Sequence, residues 1–157
     1  MNANSPSRWP RATPLLNVEC VIETTVDKGG IEVARKKDKT YSDEEVRATL
    51  AKRLPQWRLE DGHICRRYKT SGWRSSLMVA NAIGHLAEVA WHHPDMLVTF
   101  PAVEVRLQNH DAGGITDKDF ALAERIEAMV LWQPGAEDGP FEGIPAGSAR
   151  FAYVTGD

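Results

Sequence analysis

The sequence predicts an α+β fold, a four-stranded antiparallel sheet with three helices on one face, in the order α-β-β-α-β-β-α. Three observations carry that prediction. Ser42 stands three residues before Glu45 and ahead of apolar residues at four-residue steps, the pattern of a capped helix start. Asp61-Gly62 divides two strand-like runs, as a two-residue hairpin turn does. Val103, Val105 and Leu107 alternate with Glu104, Arg106 and Gln108 shortly after a long proline-free apolar stretch, so a half-buried strand follows a helix. Helices separated by pairs of strands make a sheet that is covered on one side.

The elements follow in order. Residues 1–39 form an N-terminal extension in which an alternating stretch from Val18 to Val26, the Gly29-Gly30 turn and Ile31 to Ala34 allow a hairpin. From Ser42 the first helix carries Val46, Leu50 and Leu54 on one face, and Pro55 ends it. Trp57 to Glu60 and His63 to Lys69 are the two strands of the Asp61-Gly62 hairpin, because both central turn positions need positive φ. Trp73 to His92, rich in Leu, Ala, Met and Ile, reads as a long and largely buried helix that Pro94 terminates. Leu97 to Phe100 and Ala102 to Asn109 are the second strand pair. After the Gly113-Gly114 turn, Thr116 caps a third helix with Asp117 and Asp119 at its positive end and Phe120, Ala123, Ile126 and Val130 as its apolar stripe. The folded domain thus spans 40–132, and 133–157 is an irregular tail with an apolar patch at Phe151 to Val154.

Composition narrows the function. With 42% hydrophobic and 26% charged residues, the 157-residue chain is neither a disordered segment nor a disulfide scaffold. A net charge of −3 argues against direct nucleic-acid binding, which needs a dense basic face. The cluster Arg35, Lys36, Lys37 and Lys39 is interrupted by Asp38 and reads as a solvated segment. Cys20 and Cys65 lack metal-ligand spacing and read as reduced thiols. No apolar run suits a signal peptide or a bilayer span, so a cytoplasmic location without membrane contact is expected.

Chemistry, if present, belongs to the histidines. His92 and His93 fall at the end of the second helix and His110 at a strand exit, and element ends are where sites are assembled. Imidazole both accepts and donates a proton near neutral pH, so such a group can run both halves of an acid/base reaction. Glu88 precedes His92 by four residues and is expected on the same helical face, placed to orient that ring. From spacing alone, ordinary surface or helix-terminal histidines are the simpler reading. A zinc site is a second alternative, weakened because His92 and His93 would project about 100° apart on a helix with no cysteine nearby. His63 reads as a hairpin residue, His85 as a polar helix position and Asp119 first as a helix-start acid. No glycine-rich nucleotide fingerprint or nucleophile elbow is present.

The run Glu88-Val89-Ala90-Trp91-His92-His93-Pro94, followed by Phe100, His110 and Asp119, resembles the signature of pterin-4a-carbinolamine dehydratases. The segment His110 to Ala123 resembles the loop and third helix of the same family, and the resemblance covers Tyr41 to Trp132. It implies an enzyme that converts 4a-hydroxytetrahydropterin to quinonoid dihydropterin and water in tetrahydrobiopterin recycling, without metal or coenzyme. By the same resemblance His92 and His93 are the acid/base pair, His110 takes part in binding and protonation, and Glu88, Pro94 and Asp119 support them, all around one pocket at the end of the second helix. The sequence departs from the family pattern at Phe100, Pro101 and Gln108-Asn109, and Tyr68 and Leu77 stand in a region where phenylalanines are customary. Those departures touch pterin contacts and assembly surfaces.

The resemblance also implies partners. Family members form dimers or tetramers, and a sheet covered on one face leaves surface for a symmetric copy, so a homodimer or homotetramer is expected. Some members act without catalysis, as dimerisation cofactors of a transcription factor or as Rubisco assembly factors of carboxysomes, and the extensions at both ends of this chain suit such a protein-binding role. The complete histidine set favours the enzyme.

Overall fold

The computed structural model describes residues 38–144 together with Val154 and Thr155. The hairpin expected within residues 18–34, and Cys20, lie outside the described residues.

The first helix, α1 (Asp43–Arg53), starts where the capping box requires. The Ser42 N–H donates to Glu45 Oε2 at 2.8 Å and the Glu45 N–H donates to Ser42 Oγ at 3.3 Å, occupying donors that a helix start leaves open. The Ser42 N–H, and then the Ser42 hydroxyl donating to the same Oε2 at 3.0 Å, hold the Glu45 carboxyl below its ordinary range. Only Val46, Leu50 and the closing Leu54 are buried, so α1 lies on the core by a narrow stripe. Strands β1 (Arg58–Glu60) and β2 (His63–Lys69) form the expected hairpin, with Asp61 and Gly62 at φ of 48° and 73°.

Helix α2 (Trp73–Ala90) buries Ser75, Ser76, Val79, Ile83 and Ala87, roughly every fourth residue along its length. The buried serine at its start is bonded: Thr70 Oγ1 and Ser76 Oγ are 2.7 Å apart, and Ser76 Oγ donates to the Phe100 carbonyl at 3.1 Å. Strands β3 (Asp95–Thr99) and β4 (Ala102–Leu107) follow. The third strand begins two residues earlier than the sequence predicts and excludes Phe100, because Phe100 and Pro101 make the turn and Asp95 already pairs with Arg106. Helix α3 (Asp117–Val130) buries Phe120, Ala123, Ile126 and Val130, the stripe read from the sequence, together with Asp119 and Leu122.

The strands are antiparallel in the order β1-β2-β4-β3. Register sets Ile64, Arg66 and Tyr68 beside Leu107, Val105 and Val103, with Val98 beside Val103, and a period of two puts all of these on one face. That face shares a single hydrophobic core with the buried residues of the three helices. The opposite face is laced with charge. Arg58 and Arg67 lie 3.9 Å from Glu104, and Arg58 lies 2.8 Å from Glu60. Cys65 sits on that face fully buried, and its burial pushes the thiol above its ordinary pKa.

Within the tail read as irregular, Val154 bridges Thr70 and the Thr155 N–H donates to the Lys69 carbonyl at 3.0 Å. Since Thr70 N–H bonds Pro101 on the β4 side, the Lys69 carbonyl points the other way, to the edge that three-residue β1 leaves uncovered.

One charged group crosses from helix to sheet. Glu127 Oε2 of α3 accepts from Tyr68 Oη at 2.6 Å and from Trp57 Nε1 at 3.1 Å, with Arg66 Nε 3.5 Å away. Burial first, and then the Glu127 bond, push the Tyr68 phenol above its ordinary value. Tyr68→Phe is expected to cost ~1–2 kcal/mol in urea unfolding, and Glu127→Leu, which strands two donors, ~2–4 kcal/mol. Because the folded phenol titrates above the unfolded one, its stabilisation is complete below about pH 10 and is lost as pH climbs beyond it. Melting temperatures above pH 10 should therefore fall more steeply for the wild type than for Tyr68→Phe.

Candidate active site

The site begins with how α2 stops. Trp91 takes the left-handed conformation, φ 51° and ψ 41°. Its N–H donates to the Glu88 carbonyl at 3.2 Å and the His92 N–H reaches back to the Ala87 carbonyl at 3.1 Å, the closing pair that helices usually make with glycine at the left-handed position. For an L-residue that conformation costs about 1–2 kcal/mol. The consequence corrects two sequence expectations. The helix ends at Ala90 rather than His92, and the histidines lie beyond it instead of on its face. Glu88 therefore does not pair with His92, because the reversal at Trp91 carries that ring away from the i+4 position; its Oε2 lies 3.1 Å from His93 Nε2 instead.

His92 turns to α3. Its Nε2 lies 2.7 Å from Asp119 Oδ1. The other oxygen of Asp119, Oδ2, accepts the Thr116 N–H at 2.7 Å and the Thr116 hydroxyl at 3.1 Å, so the helix-start acid is also a histidine partner. Asp119 has no exposed surface and sits in the first turn of α3, at the positive end of its dipole. With Asp119 ionised its oxygens only accept, and the hydrogen between the two residues then belongs to Nε2 and leaves Nδ1 open.

The two histidines differ in how firmly they are held. The His92 side chain is 11% exposed and its partner 0%, whereas His93 and Glu88 are 54% and 68% exposed. Solvent screens the outer pair and leaves it weak; the inner pair is fixed by burial. The Trp91 indole meets His93 edge to face, with centroids 5.6 Å apart at 74°. Pro94 joins His93 directly to β3 and, lacking an N–H, needs no acceptor there.

His110 is exposed and, among the described residues, has no hydrogen bond to Glu88, His92, His93 or Asp119. It is nonetheless tied to them through its neighbours. The loop carrying it is knitted by Asn109, whose carbonyl accepts the Gly113 N–H at 2.9 Å and whose Oδ1 accepts the Ala112 N–H at 3.1 Å. Asn109 Nδ2 donates to Thr116 Oγ1 at 3.4 Å, which connects His110's neighbour to the Thr116–Asp119–His92 chain. Asn109 Nδ2 also donates to Asp38 Oδ2 at 3.0 Å, and Lys118 Nζ lies 2.6 Å from the same oxygen, which holds the Asp38 carboxyl below its usual range.

Asn109, Thr116 and Asp38 were not among the residues the sequence singled out for the site. Asn109 carried one usable signal, an asparagine ahead of a Gly-Gly turn, where its side chain can bond its own backbone. Asp38, inside a basic polar run, carried none. Among the described residues, no group of three or more His, Cys, Asp and Glu is arranged to hold a metal ion.

Comparison with known proteins gives a consistent result. Residues 39–129 match the family model described as pterin 4 alpha carbinolamine dehydratase. The chain is 43% identical over 89 residues to a protein of Aquifex aeolicus, covering 57% of this chain and 89% of the relative. It is 45% identical over 83 residues to one of Haloarcula marismortui, covering 52% and 90%. Both carry the name "putative pterin-4-alpha-carbinolamine dehydratase". The crystal structure of a transcriptional coactivator/pterin dehydratase from Brucella melitensis superposes with a TM-score of 0.54 at 24% identity, covering 58% of this chain and 98% of that one, which is a likeness of fold.

The inner pair yields a stability prediction. Asp119→Ala leaves the buried Thr116 N–H without its acceptor and His92 without its partner, so urea unfolding is expected to show a loss of about 2–4 kcal/mol. A loss within 0.5 kcal/mol, about that of a surface substitution, would contradict the geometry.

Proposed function

Since this chain belongs to the pterin 4 alpha carbinolamine dehydratase family, we propose that it removes water from a 4a-hydroxytetrahydropterin by proton transfer between histidines. The observation that carries the reading is the His92–Asp119 pair, in which a buried carboxylate holds an imidazole in one orientation. Breaking the C4a–O bond requires a proton on the departing hydroxyl. Removing the proton at N5 lets the nitrogen lone pair form the C4a–N5 double bond, so one proton enters and one leaves. Two imidazoles suit this balance, because near neutral pH one can act as acid and the other as base.

In this reading His92 works through Nδ1, its Nε2 being committed to Asp119, while His93 is the accessible partner that Glu88 steadies. His110, on the loop that Asn109 braces, contributes to binding and protonation. Pro94 supports the site by fixing the exit from His93. The reaction needs no resident metal or coenzyme. A cytoplasmic location goes with this reading, Cys65 being a buried thiol; among the described residues, no helix is long and apolar enough to cross a membrane.

We place the catalytic domain at 40–132, with the extension and tail outside the chemistry. Assembly into a homodimer or homotetramer belongs to the same proposal. The uncovered sheet face is charged rather than apolar, so the support for a second copy comes from edge strand β3, where Leu97 is 59% exposed. A second reading, as a protein-binding module such as a transcription-factor or Rubisco assembly cofactor, draws on a different end of the molecule. Trp73, Met78 and Phe100 are each at least half exposed near the start of α2, away from the histidines at its end.

The assay is acceleration of 4a-hydroxytetrahydropterin dehydration over its spontaneous rate. His92→Ala/His93→Ala is expected to lose most of a ~10²–10⁴-fold acceleration while keeping its fold, with a lower melting temperature because buried Asp119 Oδ1 loses its donor, and each single variant to lose less activity. A double variant with full activity would contradict the assignment, and an inactive wild type would favour the protein-binding reading. Light scattering at micromolar concentration should report a multiple of the 17.5 kDa chain; a purely monomeric profile would rule out the assembly.

A further inference from the structure

We propose that Trp91 is a positioning residue for His93, placed in a strained backbone conformation so that its indole can hold the outer imidazole against Glu88. Three observations carry this. The left-handed position that closes α2 suits glycine or asparagine, yet it holds the largest side chain, at φ 51°. Trp91 is 71% exposed, so burial in the core is not what places it there. Among the described residues its ring partner is His93, met edge to face at 5.6 Å.

His93 needs such a neighbour. Its bond to Glu88 joins two exposed side chains, a pairing too weak and mobile to fix a ring by itself. The indole supplies the ring with a second contact, edge to face at 5.6 Å. Strain kept at a site where an unstrained residue fits is characteristic of a position whose value lies in orientation rather than stability. The catalytic part of this inference rests on the dehydratase reading above; the orientation of His93 does not.

The test uses the full chain with Trp91→Gly and Trp91→Phe, and three measurements. Trp91→Gly is expected to melt at the same temperature or ~2–5 °C higher, because glycine relieves the backbone. Its kcat for dehydration should nonetheless fall about tenfold, with KM little changed, because a misplaced proton carrier slows chemistry more than binding. Trp91→Phe, which keeps an aromatic edge, should recover most of that loss. The nuclear Overhauser contact between the His93 ring and the Glu88 methylenes should weaken in Trp91→Gly and persist in Trp91→Phe.

Wild-type kcat in Trp91→Gly, equal losses in both variants, or a change confined to KM would each overturn the proposal. If the chain does not dehydrate the pterin, the Overhauser contact still decides: its loss in Trp91→Gly alone upholds the positioning role while the proposed reaction falls, and an unchanged contact removes the role whatever the activity.

Discussion

Asp119 has no surface in contact with water, and a carboxylate in that position needs its oxygens occupied by donors. Thr116 supplies two on one side and His92 one on the other. The first two start α3, and the third fixes where the chain goes after α2 ends. A single buried charge therefore joins the beginning of one helix to the end of another, and the loop between β4 and α3 must lie so that Thr116 faces inward. The segment ahead of α1 helps to hold it there. The Tyr41 N–H donates to the Ile115 carbonyl at 2.9 Å, Tyr41 Oη donates to Asp117 Oδ1 at 2.7 Å, and Asp38 takes Asn109.

The sheet contributes a platform rather than chemistry. Its covered face binds the helices through aliphatic side chains and one polar junction at Glu127, so the ends of α2 and α3 are held at a constant separation. For the proposed proton transfer such support matters, because that chemistry tolerates little misplacement of the donor and acceptor atoms. Against that background the outer pair, His93 and Glu88, is the loosely held half of the site, open to solvent.

Local signals made most of the fold legible. The Ser42–Glu45 box, the Asp61-Gly62 turn and the alternation through Val103, Val105 and Leu107 each act over a few residues, and each element stands where its signal put it. The end of α2 was not legible, because the first breaker after Ala90 is Pro94 and tryptophan is no marker of a left-handed residue. That one residue misled the pairing as well, since Glu88 stands four before His92 in sequence but reaches His93 in space. Nor could the sequence show that Val154 returns to the edge of β2 across more than eighty residues. The histidines and acids were recognisable through the family signature, whereas Asp38 acts through a contact between segments about seventy residues apart, which no local pattern encodes.

The central claim is that Asp119 presets His92 with its proton on Nε2 and leaves Nδ1 open, the nitrogen through which the proposed dehydration would run. Two-bond nitrogen–proton correlation spectroscopy on the ring of His92, in chain labelled with nitrogen-15, reads this directly. The account predicts that neutral His92 is the Nε2–H tautomer, with Nδ1 showing the shift of an unprotonated nitrogen. A neutral His92 protonated at Nδ1 would contradict it, because the bond to a buried carboxylate would then have no hydrogen to share.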